Sequence, residues 1–156
     1  MIKLPILPTP DGDSPCCTYS EESQAFMVHN TPGSPECLAV VSAVTGGSFT
    51  EYLQEMKETS GALCIILQPL HHAFSLPCYN GIGEPLPPDA LQKTVEESKS
   101  CKSSSLMCRY NYDQSSHTVI LFDDEDTLCE KATEAERLGY RYLLGDASLL
   151  KKIKTP

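Results

Sequence analysis

The segment from Gly46 to Leu67 does most to limit what this chain can fold into. Gly46-Gly47 breaks the chain. Ser48 follows, with Glu51 three residues on, the capping-box spacing that satisfies the orphan N–H groups of a helix start. Phe49, Leu53 and Met56 recur at helical spacing and predict a helix to about Thr59. Ser60-Gly61 ends it, because glycine takes a left-handed conformation without steric cost. Ala62 to Leu67 then reads Ala-Leu-Cys-Ile-Ile-Leu. An apolar run this short, bounded by turn signals, predicts a fully buried strand. A helix feeding a buried strand calls for layers in which helices cover a sheet.

The rest of the chain continues the alternation. Cys37 to Thr45 is a nearly continuous apolar run that suits a buried strand or a buried helix. Val40, Val41 and Val44 favour the strand. Pro88 and Asp89 open a second helix, with Leu91 and Val95 inward, to about Lys102. Leu106 to Tyr112 reads as a strand, Asp113 to Ser116 as a hairpin loop, and His117 to Phe122 as an antiparallel return strand. Asp124 caps a third helix, Glu125 to Leu138, which carries Leu128, Ala132 and Ala135 on one face. Gly139 ends it. Tyr140 to Leu144 is a last strand, and Asp146 caps a terminal helix carrying Leu149, Leu150 and Ile153. The expected fold is α/β in the mixed α+β sense, a single domain over residues 37–156 with helices packed on one central mixed sheet. Residues 1–36, rich in Pro, Ser, Asp and Glu, are expected to be loosely packed, with a hairpin or edge strand drawn from Lys3 to Leu7 and Gln24 to His29. Gln68 to Pro88 reads as one long loop, and such loops in compact domains are usually functional or mobile.

Charge narrows the partners. Twelve basic against 21 acidic residues leave a formal charge of −9. Nucleic-acid binding draws on Lys and Arg, so it is not expected. No apolar run reaches the ~18 residues of a membrane helix, and Met1 to Pro8 lacks a signal-peptide core. The expected location is cytoplasmic or nuclear, with most of the eight cysteines reduced. No Cys-x-x-Cys pair is present, so neither a metal nor a cofactor is expected.

Several residue sets invite chemistry. Cys37 begins an apolar run and His117 begins a strand. A thiolate forms most readily at a helix start beside an imidazole. This order resembles that of compact papain-like cysteine peptidases. The resemblance implies Cys37 as nucleophile, His117 as base and an orienting residue among Asp113, Asp123 and Asn111, of which Asp123 is preferred. His71 and His72 compete for the role of base. The stretch from Val119 to Leu128, with its acidic run Asp123-Asp124-Glu125-Asp126, and then Arg141 to Leu144, resembles the C-terminal half of a PIN-like nuclease domain. A metal nuclease needs several converging carboxylates, and Ile65-Ile66-Leu67 runs into Gln68-Pro69 where another would stand, so the resemblance implies an inactive scaffold. Tyr110 and Tyr112, with Arg109 beside them, offer a recognition surface. With no complete catalytic motif, the leading expectation is a non-catalytic module that binds a protein partner. The cysteine hydrolase stands second and the PIN-like scaffold third.

Overall fold

The computed structural model describes residues 16–20, 25–29, 37–62, 64–97 and 99–154. The fold is mixed α/β, with ten strands and four helices among these residues. Strands β1 (Cys16–Ser20), β2 (Ala25–His29) and β3 (Cys37–Val41) lead to helix α1 (Phe49–Ser60) and strand β4 (Cys64–Leu67). Next come β5 (His71–Ser75), β6 (Glu84–Pro85), α2 (Pro88–Glu97), β7 (Cys101–Ser103), β8 (Cys108–Asp113) and β9 (Thr118–Phe122). Helix α3 (Glu125–Arg137), strand β10 (Tyr142–Gly145) and helix α4 (Ala147–Lys154) complete the order.

The strands form two sheets, where the sequence suggests one central sheet. The first has the order β1-β2-β3-β4-β10, antiparallel from β1 to β3 and parallel from β3 to β10. The second, β6-β5-β9-β8-β7, is antiparallel throughout. The run from Cys37 resolves as a strand. Its parallel partner β4 is reached through α1, as a parallel crossover requires. Pleating sorts the first sheet into two faces. Val40, Ile65 and Leu143 lie in register and join the main core with Phe49 and Leu53 of α1 and Leu128, Ala132 and Ala135 of α3. Ala39, Cys64 and Tyr142 line up on the opposite face, with Ile66 and Leu144 packed beside them. The Tyr140 hydroxyl reaches through the core and donates to the Leu53 carbonyl at 2.8 Å.

Both long helices have the ends the sequence predicts. The Ser48 hydroxyl accepts from the Glu51 N–H, and Gly61 closes α1 at φ 65°. Asp124 and Thr127 exchange side-chain and backbone bonds in a full capping box at the start of α3. Elsewhere the structure departs from expectation. Gln68 to Pro88 is not one loop but holds β5 and β6. His71 to Ser75 has little strand character of its own, and its five-residue ladder with β9 makes it a strand. Helix α2 stops at Glu97, because Cys101–Ser103 pairs with β8 instead of extending the helix. Val95 points outward, at 42 % exposure. The expected Lys3 to Leu7 strand lies outside the described residues. Helix α3 packs on both β4 and β8 and so touches both sheets.

Candidate functional site

Two features of the second sheet carry unusual chemistry. The first is where β9 runs into α3. Asp123 follows β9, and its N–H donates to the Leu70 carbonyl at 2.8 Å, while the Leu70 N–H donates back to Asp123 Oδ2 at 2.9 Å. Oδ1 accepts from the Thr127 hydroxyl at 2.9 Å, and Oδ2 also accepts from Lys131 Nζ at 2.8 Å. Both charged side chains are fully buried, and Lys131 Nζ lies 5.5 Å from the centre of the Phe49 ring. Buried Cys108 stands in the same field. Burial pushes its thiol up to about 11, against the lowering effect of Lys131 and with a further rise from Asp123, so it stays protonated. This cluster ties the β4–β5 connection to α3. Its two charged side chains are closed to solvent.

The second feature is the loop of residues 76–83, between β5 and β6. Its entry is fixed by the Leu76 N–H, which donates to the His117 carbonyl at 2.8 Å. Within it, Asn80 Oδ1 accepts from the Ile82 N–H at 3.0 Å, an Asx turn, and Gly81 takes φ 66°. The exit lies on Phe74: a Cβ on Gly83 would stand 2.6 Å from that ring, so any larger residue must displace the ring. The Cys78 thiol faces two oxygens, Asn80 Oδ1 at 3.4 Å and the Ile82 carbonyl at 3.6 Å. The loop is therefore held, yet its large side chains face outward. Leu76 is 44 % exposed, Ile82 72 % and Tyr79 95 %. Beside them lies a shallow depression of about 370 Å³, lined by Ala73, Ser75, Pro77, Cys78 and Glu84.

The residues expected to form a catalytic triad are spread along two sheets. Cys37 opens β3, with its backbone in register with Val28, so no helix N-terminus stands behind it. His117 sits at φ 51° in the β8–β9 turn, before the strand begins. Asp123 follows the other end of β9, roughly 20 Å away at the usual strand rise. Its carboxylate is held by Leu70, Thr127 and Lys131 and does not orient His117. Asp113 is exposed and accepts from Ser115 and Ser116 within its own hairpin turn. Of the competing imidazoles, His71 Nδ1 lies 3.0 Å from the Pro69 carbonyl. His72 Nδ1 is buried without a partner, and burial, then the neighbouring His71, push that imidazole below its ordinary value. The βαβ unit of the PIN-like resemblance does not form. β9 and β10 belong to different sheets, and β9 pairs antiparallel on both sides.

Arg109 also departs from its expected place. Strand alternation sends it to the face opposite Tyr110 and Tyr112, where its guanidinium meets Asp124 at 2.6 Å and Asp126 at 3.8 Å. Tyr110 packs against a cluster of Leu70, Phe74, Cys108 and Leu121, and Tyr112 is half exposed. Among the described residues no His, Cys, Asp and Glu group is placed to hold a metal ion. Cys64, Cys78, Cys101, Cys108 and Cys129 form no disulfide. No helix among the described residues is long and apolar enough to cross a membrane. Leu76, Tyr79 and Ile82 carry no motif. Their signal in the sequence is three large apolar residues set among Pro77, Gly81 and Gly83. The chain matches no family model, no curated protein and no solved structure.

Proposed function

We propose that this chain is a non-catalytic protein-interaction module whose recognition element is the loop of residues 76–83. The observation that carries this reading is the concentration of exposed apolar surface there. Leu76, Tyr79 and Ile82 are three of the five large hydrophobic side chains exposed among the described residues. They lie within seven residues on a loop braced at both ends. Single exposed apolar residues need no explanation, but a cluster on an ordered projection suits a contact with another protein. Tyrosine gives a large contact area for little lost rotamer freedom, which is why it recurs at interface centres. Because Asn80 and Gly83 already fix the loop, little ordering entropy is lost on binding.

The test places a photo-crosslinking benzoylphenylalanine at position 79 of the full chain, expressed in cells. A discrete crosslinked protein is expected, and it disappears when Ile82→Ser is added. The same photolabel at exposed Glu55 on α1 does not give that product. Crosslinking that is equal at positions 55 and 79, or blind to Ile82→Ser, defeats the reading. A parallel thiol-labelling experiment at pH 6–7 addresses the hydrolase alternative. Cys37 is expected to alkylate no faster than the other accessible thiols and to ignore His117→Ala.

A further inference from the structure

The chain segments that form the loop and its neighbouring turn carry formal charge of one sign. The sequence has no Lys or Arg between Lys57 and Lys93, and none from Tyr110 to Glu130. These stretches contain the loop and the β8–β9 turn, which the Leu76–His117 hydrogen bond ties together. Exposed Glu84 lines the depression beside Tyr79. Asp113 pairs across the ladder with Thr118, and Thr118 with Ser75, so the three share one face. Ser75 lines the same depression, which sets Asp113 on its flank. The Ser115 hydroxyl, then the Ser116 hydroxyl and the Ser115 N–H, hold the Asp113 carboxyl at about 2, so it is ionised at any physiological pH. Arg109, on the same face of β8, is already engaged by Asp124 and Asp126.

We infer that the partner of this loop is a protein segment that joins an apolar contact to flanking lysine or arginine side chains, the apolar part meeting Leu76, Tyr79 and Ile82 and the cations meeting Glu84 and Asp113. This deepens the proposed function and rests on it. Charges at the rim of a contact speed the encounter and reject like-charged partners, while the apolar centre sets the lifetime of the complex. An acidic rim on a chain of net charge −9 repels nucleic acid and anionic lipid alike.

The test uses a phage-displayed library of random dodecapeptides selected on the immobilised full chain. Selected peptides are then synthesised and titrated against wild type, Tyr79→Ala/Ile82→Ser, Glu84→Gln, Glu84→Lys and Asp113→Asn. The expected peptides combine Lys or Arg with aromatic or aliphatic residues and lose binding to the Tyr79→Ala/Ile82→Ser variant. Glu84→Lys weakens them by about tenfold, and added salt weakens wild-type binding. If Asp113→Asn disturbs its hairpin, the Glu84 variants carry the charge test alone. Peptides that need Tyr79 and Ile82 but are neutral or acidic overturn the inference and leave the loop reading standing. Peptides that ignore the Tyr79→Ala/Ile82→Ser change, or no enrichment at all, overturn both. Tyr79-dependent sedimentation with phosphatidylcholine vesicles would assign the loop to a lipid surface and also overturn both.

Discussion

Lys131 and Tyr79 are displaced in opposite directions from where such side chains usually lie. Lys131 is fully buried, and Tyr79 is 95 % exposed. What surrounds them differs as much. Around Lys131 the chain supplies a carboxylate at 2.8 Å and an aromatic face at 5.5 Å, and it satisfies that carboxylate further with Leu70 N–H and the Thr127 hydroxyl. A buried charge is tolerable only with such a set, because taking it out of water costs several kcal/mol. Around Tyr79 the chain supplies a rigid mount and leaves the ring in water. Exposing an apolar ring opposes folding very little, since the unfolded chain exposes it too. Two different reasons for an odd residue stand side by side here. Lys131 is explained from within the molecule, by the junction of α3 with the second sheet. Tyr79 has no such setting among the described residues, and on the proposed function its partner lies outside the molecule.

The largest effect should come from breaking the inner site. Asp123→Ala strands Lys131 and takes the acceptor from Leu70 N–H, so we expect a loss of about 3–5 kcal/mol in urea unfolding. Lys131→Met strands the Asp123 carboxylate in the same way. Asp123→Asn/Lys131→Met removes both charges and keeps an acceptor for Leu70, and its loss should be smaller than that of Lys131→Met alone. A double variant that is no better than the single would mean the charges are not what the site balances. Gly83→Ala comes next. Its Cβ would stand 2.6, 2.7 and 2.9 Å from three carbons of the Phe74 ring, and Phe74 is only 8 % exposed. We expect a loss of about 1–3 kcal/mol from this overpacking. Unchanged stability would show that the loop is not seated on Phe74, and the rigid mount of Tyr79 would fail with it.

The two sites were unequally legible in the sequence. Helices α1 and α3 announce themselves because a cap, a stop and a 3.6-residue period are local features, all within one element. The β8–β9 hairpin is legible for the same reason. Strand β5 is not, since His71 to Ser75 becomes a strand only by pairing with β9, more than forty residues away in sequence. Nor is the division into two sheets, because apolar runs identify strands and not their neighbours. The buried pair left a trace. Lys131 falls three residues after Leu128 and four before Ala135, on the apolar side of α3. Within the acidic run, Asp124 performs the capping expected of it, while Asp123 turns into the core. For Leu76, Tyr79 and Ile82 local pattern decides nothing. An apolar residue in a loop either packs under it or projects from it, and the difference depends on where Gly83 meets Phe74.

The smallest effect is also the one on which the contrast depends most. Tyr79→Ser removes the largest side chain of the loop. If the ring buries almost nothing in the folded chain, the transfer free energy lost is close to zero. The Asx turn of Asn80, the seat of Gly83 on Phe74 and the Leu76–His117 bond use none of its atoms. The expected change in urea unfolding is therefore within about 0.5 kcal/mol, the range of ordinary surface substitutions. The same variant should lose the crosslinked or selected partner that wild type binds. A loss of stability above ~1 kcal/mol would mean that the ring packs against the folded chain in solution. Tyr79 would then belong with Lys131, as a residue explained from within, and the outward-facing reading of the loop would fall.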